Sequence, residues 1–400
     1  MLVIRDILKT IQEKSQLEAL LLWGPRQVGK TTLLDQLPLK SRAFLDDIGL
    51  RQKAQQDPTF FLDDLQSPSL IDEVQYASNL FPEIKKRIDE TRRKALHANQ
   101  PASKTQYYLT GSNKTLLDKN VKESLAGRCH LISLHGFSVK EIHSHFEKIS
   151  LKTILLRGGF PELYTREGLP PKQFFNDYIT SFVEKDIAYS SGIEKIDEFQ
   201  TVLKLLAART GQFLNTSEIA KHAGINIGTI SSWIGLLKQN GIIDLVPSYA
   251  TNLTKRLVKM KKLYFYDTGL CARLQSQETE DSLWNSAQAG ALFETLVFSE
   301  IVKTKENFWE DWQLQTWRTK EKREIDFVLT GGDKTLLIEA KLGIHSAKPF
   351  DLDPEAQKVF GKDCKKVVVT AGGNIENLNR STQRIPIFEL GQHLLKNLTL

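Results

Sequence analysis

Residues 24–31 read Gly-Pro-Arg-Gln-Val-Gly-Lys-Thr, a pattern whose residue types and spacing can hold phosphate groups. An apolar run precedes them and a helical stretch follows, which is the setting of the G-x-x-x-x-G-K-[ST] phosphate-binding loop. Gly24 and Gly29 let the backbone curl so that its N–H groups face phosphate oxygens. Lys30 brings a positive charge to the β/γ-phosphates, and the Thr31 hydroxyl is placed to ligate Mg²⁺.

ATP is the ligand that this loop predicts, with Mg²⁺ as the accompanying metal ion. The expected contacts come from the whole loop and the start of its helix: Gly24, Pro25, Arg26, Gln27, Val28, Gly29, Lys30, Thr31 and Thr32. The helix dipole adds positive potential at the same place. A glycine-rich turn that matches the pattern by chance is disfavoured by the strand before the loop and the helix after it.

A second element of a nucleotide hydrolase follows about 40 residues later, where the apolar strand Ser69–Ile71 ends in Asp72 and Glu73. Asp72 is placed to support Mg²⁺ from the carboxyl end of the strand, where ligands bind in open parallel sheets. Glu73 is placed to polarise the attacking water as a general base. An isolated Ile-Asp-Glu is typical of a solvated strand end, but at this distance from the loop it predicts a catalytic pair.

Two more places are candidates for the same site. A third strand over residues 107–113 ends in Thr-Gly-Ser-Asn, and Ser112 is expected to contact the nucleotide and orient water near the γ-phosphate. The same residues also suit a simple strand-ending turn. Arg128 is either an arginine finger, in cis or across a subunit interface, or one half of a surface ion pair. The sequence leaves both questions open.

Composition limits the classes of protein that fit. The 400 residues exceed one ordinary core, which predicts about two to four domains. No apolar run approaches the roughly 20 residues of a membrane span, so no membrane partner is expected. The three cysteines form no C-x-x-C pair, which argues against a zinc site or disulfide framework and favours a cytoplasmic location. The net charge of +6 permits nucleic-acid binding without demanding it.

Alternating strands and helices over residues 1–150 predict a doubly wound α/β domain with a parallel sheet, followed by a helical lid or connector over 151–200. In order, G-P-R-Q-V-G-K-T-T, L-I-D-E-V-Q, Y-L-T-G-S-N and S-L-A-G-R resemble a widespread prokaryotic group of AAA-type P-loop ATPases. Members of that group carry a C-terminal domain of unknown function related to nucleases, and the resemblance implies one here. It continues at Arg157–Glu162 and Val183–Ile187, and departs at His135–Ser138, where the group usually has Pro before Phe.

Residues 201–275 change to short helices and predict a winged-helix domain. Asn215 as N-cap, Glu218 in capping-box spacing and Gly224 as a stop define the first helix. A second helix runs over 226–240, and two short helices joined by a glycine turn are typical of a helix-turn-helix. The expected buried face of the second helix consists of Ile230, Trp233, Ile234 and Leu237.

Strands at Ile242–Val246 and Leu263–Asp267 are expected to form the wing. The densest basic stretch of the chain lies between them: Lys255, Arg256, Lys259, Lys261 and Lys262. On a wing these charges would neutralise backbone phosphates of duplex DNA. The outward Thr/Ser face of the second helix has little Arg or Asn to read base edges, which predicts weak sequence specificity. A protein-docking module with a solvated lysine loop is the alternative.

A third region over 280–400 predicts an α/β domain. A helix over 284–303 carries Glu294, and a hairpin pairs the strand at 324–329 with the strand at 336–341. Because side chains alternate along a strand, the apolar residues of each strand share one face and the charged residues share the other. The hairpin therefore brings Asp326 near Glu339 and Lys341, with Glu294 arriving from the helix.

Three carboxylates and one ammonium group at this place predict a site for a divalent metal and an activated water. The oxygen ligands of Glu294, Asp326 and Glu339 suit Mg²⁺ or Mn²⁺, and Lys341 would hold the water or the scissile phosphate. Helix-Glu, Asp, then Glu-x-Lys resembles the PD-(D/E)xK nuclease fold, which implies catalytic roles for Asp326, Glu339 and Lys341. Gln357 is expected to join them from a later helix. An intact fold whose acidic residues hold a salt-bridge network, or grip DNA without cutting, is the alternative.

Two hypotheses follow for the whole chain. The first is an ATP-hydrolysing protein that acts on DNA in defence, repair or mobile-element biology, with a metal-dependent nuclease or its descendant at the C-terminus. The second is a nucleotide-gated switch, in which the ATP state changes homo-oligomerisation or partner binding, and the later domains dock proteins or bind DNA without cleaving it.

Overall fold

The structure is a computed structural model that describes residues 2–15, 17–99, 105–112, 123–146, 149–188, 191–250, 260–319, 321, 323–361 and 364–399. Contacts between residues divide the chain into two compact units. The first unit is residues 4–135, and the second is residues 136–400 together with the start of the chain.

The first unit is an α/β layer structure. Its described helices and strands, in chain order, are α1 (Asp6–Lys14), β1 (Ala19–Trp23), α2 (Lys30–Leu34), β2 (Ser41–Phe44), α3 (Ile48–Gln56), α4 (Pro58–Asp63), β3 (Ser69–Asp72), α5 (Leu80–His97), β4 (Tyr107–Gly111) and β5 (Cys129–Ser133). A single 3₁₀ turn, Val74–Ala77, lies between β3 and α5.

The five strands form one parallel sheet in the order β2-β3-β4-β1-β5, which confirms the predicted α/β fold with a parallel sheet. Every residue of β1 is buried, as expected for a central parallel strand. Strand β4 lies between β1 and β3, and Gly111 at its end is level with Trp23 of β1. Because parallel strands end at the same edge, the loops after β1, β3 and β4 converge there.

The second unit begins with short helices. They are α6 (Val139–His145), α7 (Leu151–Arg157), α8 (Glu162–Thr165) and α9 (Pro171–Tyr178), followed by a π-helical stretch, Ile179–Ala188. Gly158 has a φ of 65°, and a Cβ there would lie 2.1 Å from a carboxylate oxygen of Asp267. The same carboxylate accepts a hydrogen bond from Gly159 N at 2.7 Å. The Gly-Gly pair therefore has a packing role, since only glycine allows this approach.

The middle of the second unit combines helices with a small antiparallel sheet. Its elements are α10 (Ile196–Ala207), β6 (Gln212–Phe213), α11 (Thr216–Ala223), α12 (Ile227–Gln239), β7 (Ile243–Pro247) and β8 (Lys261–Phe265). The strands are ordered β6-β8-β7. Asn215 caps α11, Gly224 ends it at a φ of 68°, and the predicted apolar face of α12 is buried.

Two details of this region differ from expectation. Glu218 does not complete a capping box, because its carboxylate pairs with Arg209 at 2.7 Å. The second strand starts at Lys261 and ends at Phe265, two residues earlier than predicted, because Asp267 is the N-cap of the next helix and accepts from Leu270 N. Lys255, Arg256 and Lys259 lie outside the described residues.

The last region is a six-stranded sheet covered by helices. Two short helices, α13 (Thr268–Leu274) and α14 (Glu280–Trp284), precede it. Its elements are α15 (Ala289–Phe308), β9 (Gln313–Arg318), β10 (Glu324–Gly331), β11 (Lys334–Lys341), α16 (Pro354–Phe360), β12 (Lys365–Thr370), β13 (Glu376–Asn377), β14 (Thr382–Pro386) and α17 (Leu390–Leu398). The strand order is β13-β14-β12-β11-β10-β9, with β12 parallel to both of its neighbours.

The predicted hairpin is present, and Phe327 pairs with Ile338 in its register. The helix expected over 284–303 is instead two helices: α14 ends at Trp284, where Asn285 caps it, and α15 starts at Ala289 and continues to Phe308. Among the described residues, no helix combines the length and apolar character that a membrane span needs.

Candidate nucleotide site and C-terminal acidic cluster

The loop after β1 has the backbone that a phosphate cradle requires. A Cβ on Gly24 would lie 2.2 Å from the carbonyl oxygen of Leu134, so no larger residue fits there. Gly29 has a φ of 87° and forms the N-terminal cap of α2. Gln27 also has a positive φ, 64°, which is uncommon for a residue with a side chain and is a strain often found at functional sites.

Lys30 lies against its own loop. Its ammonium group donates to the carbonyl oxygens of Gly24 and Pro25, each at 3.0 Å. Burial lowers the pKa of Lys30, with Glu73 and Asp72 opposing that shift. Both hydrogen-bond partners of the buried charge are neutral carbonyl groups, so a phosphate oxygen would be a stronger partner than either.

Thr31 and Asp72 meet as predicted. The Thr31 hydroxyl donates to Asp72 Oδ1 at 2.9 Å, and the Thr110 hydroxyl of β4 donates to the same oxygen. Burial raises the pKa of Asp72, although both hydroxyl groups lower it. Two hard oxygen donors in contact at the end of a buried strand fit Mg²⁺, because that ion prefers carboxylate and hydroxyl oxygens.

Glu73 has a left-handed backbone with a φ of 54°. Its N–H donates to the Thr110 hydroxyl at 3.0 Å, and its carboxylate accepts from the Ser112 hydroxyl at 2.9 Å and from the Gln75 amide. Ser112 therefore lies at the site, in contact with Glu73. Gln75 was not among the predicted site residues; its place two residues after Glu73 was the available signal.

The remaining predicted nucleotide contacts divide by exposure. Pro25 and Val28 are buried, whereas Arg26, Gln27 and Thr32 are exposed.

Arg128 pairs with Asp89 of α5, with Nε 2.6 Å from Oδ1. That hydrogen bond lowers the pKa of Asp89. The arrangement is the ion pair that the sequence offered as one alternative, and the arginine finger stays a prediction.

The acidic residues of the second unit gather around a lysine from β8. Lys262 lies 2.7 Å from Glu294 Oε1 and 3.5 Å from Asp326 Oδ1, and it also bonds Glu324. Only 2% of its side chain is exposed. The hydroxyl of Tyr264, two residues along β8, donates to the same oxygen of Glu294. The expectation that Lys262 belongs to an exposed basic wing is therefore wrong.

Glu339 and Lys341 form a second pair, with Lys341 Nζ 2.7 Å from Glu339 Oε2. Asp326 faces this pair across the hairpin, and its Oδ2 accepts from Ala340 N at 2.9 Å. The hairpin thus brings Asp326 to Glu339 and Lys341 as predicted. Gln357 does not join them, because its amide donates to the carbonyl of Leu352, just before α16.

Charge and burial set the protonation of the cluster. Burial, and then repulsion from Asp326, raise the pKa of Glu294 to about 7 and that of Glu339 to about 7. Burial alone would lower the pKa of Lys262, but the surrounding carboxylates hold it above its ordinary value. Burial also lowers the pKa of Lys341, but Glu339, Asp326 and Glu294 together hold it above its ordinary value.

The arrangement does not fit the expected metal site. Glu294 and Asp326 both contact an ammonium group, and Glu339 contacts another. Within the described part of the chain, no group of three or more His, Cys, Asp or Glu side chains is arranged to hold a metal ion. The structure is closer to the salt-bridge network that the sequence offered as the alternative. Lys262, Tyr264 and Glu324 were missed as members of this network.

Comparison with known families divides the chain into three matched segments. Residues 16–143 match a family described as an AAA domain. Residues 148–281 and residues 289–390 match two families described as domains of unknown function, DUF8612 and DUF4143. The loop geometry and the first match together define the class of the N-terminal unit, which is an AAA-type P-loop ATPase domain.

Two similar proteins are each described as an uncharacterized protein. One from Mycobacterium tuberculosis is 28% identical over 310 residues, which are 76% of this chain and 66% of the relative. One from Methanocaldococcus jannaschii is 25% identical over 370 residues, covering 83% and 76%. The alignment to the mycobacterial protein thus spans just under two thirds of that relative.

Two solved structures are similar at low scores. The RuvB Holliday junction branch migration motor of Thermotoga maritima is 14% identical, with a TM-score of 0.26 and coverage of 60% of this chain and 85% of RuvB. The ORC2 protein of Aeropyrum pernix, in ADPNP–ADP complexes, is 12% identical, with a TM-score of 0.30 and coverage of 71% and 92%. This likeness is too loose to assign a role to the chain.

Proposed function

We propose that the chain hydrolyses ATP at the site formed by Lys30, Thr31, Asp72 and Glu73. The hydrogen bond between Thr31 and Asp72 carries the proposal, because it places two oxygen donors beside the phosphate loop, one from the start of α2 and one from the end of β3. These two residues would hold Mg²⁺, which neutralises charge on the β/γ-phosphates when it is bound.

The protein side chains divide the remaining work. Lys30 exchanges its two carbonyl partners for phosphate oxygens, and backbone N–H groups of the loop bind the others. Glu73 accepts a proton from the attacking water. Its carboxylate is oriented for that task by Ser112 and Gln75.

Steady-state release of phosphate from ATP tests this proposal. Lys30→Ala should abolish turnover, and Lys40→Ala, which removes an exposed lysine ten residues away, should leave it unchanged. Turnover in Lys30→Ala equal to that of the wild type would overturn the assignment of the site.

We further propose that residues 201–275 form a winged-helix domain that binds duplex DNA with weak sequence specificity. The burial of α12 supports it: the apolar face packs inward, while Ser231, Ser232 and Lys238 are exposed. These side chains can contact phosphate and sugar but offer little to read base edges. Homo-oligomerisation through the ATPase domain is part of the same proposal.

A nucleotide-gated switch is the second candidate, and the ion pairs of Lys262 favour it over a metal-dependent nuclease. In the switch, ATP binding and hydrolysis change oligomerisation or partner binding. The nuclease-like fold that we propose for residues 280–400 would then bind DNA or protein without cutting, because its carboxylates already have cationic partners.

One assay separates the candidates. Plasmid and linear DNA are incubated with the protein, with and without Mg²⁺, Mn²⁺ and ATP, beside an Asp326→Ala/Lys341→Ala double variant. Cutting that requires metal and is lost in the double variant would support the nuclease. DNA-stimulated ATP turnover without cutting supports a DNA-acting ATPase. No effect of DNA on either activity would leave the switch.

A further inference from the structure

A buried lysine in an acidic site needs an explanation, because surface lysines of a basic stretch normally stay in water. Lys262 has only 2% of its side chain exposed, although Lys261 beside it is partly exposed. Its ammonium contacts carboxylates from α15 and from β10 while its backbone belongs to β8. The lysine therefore joins the three-stranded sheet to the six-stranded sheet.

The backbone holds Lys262 in this position. Strand β8 is central in its sheet, and Lys262 pairs with Phe213 of β6 on one side and with Val246 of β7 on the other. Tyr264 anchors the same face of the strand, since its hydroxyl bonds Glu294 and its ring stacks on Phe298 at a centroid distance of 4.7 Å. The position of the ammonium is therefore fixed by β6 and β7, which flank β8, and by the packing of Tyr264 on α15.

The oxygens that Lys262 contacts are those that a divalent cation would need. Glu294 and Asp326 were the predicted ligands from the helix and the first hairpin strand, and both face the lysine. A divalent cation among them would lie within a few ångströms of a fixed positive charge in a poorly solvated site, where repulsion is strong. The ammonium satisfies the carboxylates that would otherwise attract the metal.

We propose that Lys262 is a built-in counter-ion that takes the place of a divalent metal in the acidic cluster, so that the C-terminal domain excludes divalent cations while β8 is in place. The proposal concerns the second unit alone and does not depend on ATP hydrolysis. It assigns the cluster a structural role, in which the charge of β8 holds α15 and β10 together.

Titration with Mn²⁺ in the absence of nucleotide, with free Mn²⁺ followed by electron paramagnetic resonance, tests the proposal. The wild type and Asp326→Asn should bind the same amount of Mn²⁺, because the acidic cluster of the wild type holds none. Lys262→Met should gain one bound Mn²⁺ per chain, and Lys262→Met/Asp326→Asn should lose it again. Lys303→Met is the matched control: it removes another buried lysine, paired with Glu300 at 3.4 Å on the same helix, and should create no site.

Two outcomes would overturn the proposal. One is a wild type that binds Mn²⁺ at a site lost in Asp326→Asn, since Lys262 would then not exclude the ion. The other is a Lys262→Met variant that keeps the circular dichroism spectrum of the wild type yet gains no Mn²⁺. If Lys262→Met does not fold, the wild type and Asp326→Asn still decide the question. Mn²⁺ bound at Asp72 of the proposed nucleotide site would remain in Asp326→Asn, so the two sites can be told apart.

Discussion

The Lys30 and Lys262 sites each contain a buried lysine with carboxylates nearby, but the two lysines have opposite surroundings. Lys30 of the first unit donates to two backbone carbonyl groups, and burial lowers its pKa. Lys262 of the second unit contacts three carboxylates, which hold its pKa above the ordinary value. One ammonium is short of negative partners and the other is saturated with them.

This difference separates a site prepared for a ligand from a site that is complete without one. At the first site, a phosphate would supply the negative charge that Lys30 lacks, while the oxygens of Thr31 and Asp72 fit a metal ion. At the second site, an anion would meet carboxylates and a cation would meet an ammonium. Similar residue types therefore give the proposed nucleotide site in one unit and an internal ion network in the other.

The largest effect is expected from Glu73→Gln, which removes the proposed general base while keeping the shape of the side chain. ATP turnover should fall by about 10²–10⁴-fold, because proton transfer contributes that much in other enzymes. ATP affinity should stay close to that of the wild type, measured with a fluorescent ATP analogue. Glu13→Gln, an exposed glutamate of α1, is the control. Equal turnover in Glu73→Gln and the wild type would show that Glu73 is not the general base of the first site.

Replacing each lysine by methionine tests the comparison itself. Lys262→Met leaves buried carboxylates without a cation and should lower the free energy of unfolding by about 3–5 kcal/mol. Lys30→Met removes a charge whose hydrogen-bond partners are neutral, and should cost less than half of that. Urea denaturation of both variants measures the difference. Equal losses would mean that the two lysines do not differ as their surroundings indicate.

Sequence patterns predicted the first site better than the second, for a physical reason. The contacts of Lys30 and Thr31 are set within one strand–loop–helix unit, and Asp72 reaches them because parallel strands end at one edge. The partners of Lys262 come from elements 32 to 64 residues further along the chain, at Glu294, Glu324 and Asp326. A motif fixes spacing within an element, whereas the packing of one sheet on another depends on the whole fold.

The alternation of side chains along β8 could have indicated that Lys262 and Tyr264 belong to a buried polar network. Lys262 and Tyr264 are two residues apart and share a face of β8, while Leu263 and Phe265 share the other. A lysine and a tyrosine on one face of a strand with both faces covered need polar partners. The pattern does not say which partners, because an acidic residue on any facing element would serve.

The effect of pH on stability should be smaller than that of Lys262→Met, and stability should fall as pH rises. The pKa of Glu294 is raised from 4.5 to about 7 in the folded protein, so the folded state holds more protons than the unfolded state between those values. The free energy of unfolding contributed by Glu294 is therefore fully present below pH 4.5 and is lost as pH rises to about 7, by roughly 1–3 kcal/mol. Urea denaturation from pH 4.5 to 7.5 measures it, and Glu294→Gln should flatten the curve. A wild-type stability that rises relative to Glu294→Gln over this range would contradict the assignment.

The smallest effect is expected at Arg128, whose pairing with Asp89 offers a third kind of surrounding for a cation. Both side chains are partly exposed, so Arg128→Ala should lower the free energy of unfolding by only about 0.2–1 kcal/mol and should change ATP turnover by no more than about twofold. Asp89→Ala should cost a similar amount, and the double variant should cost less than the sum of the two, because the pair is lost only once. An arginine finger predicts instead a turnover loss of about 10³–10⁵-fold in Arg128→Ala. If that loss occurred, mixing Arg128→Ala with Lys30→Ala would show whether the arginine acts in a neighbouring copy, since activity would then return only in the mixture.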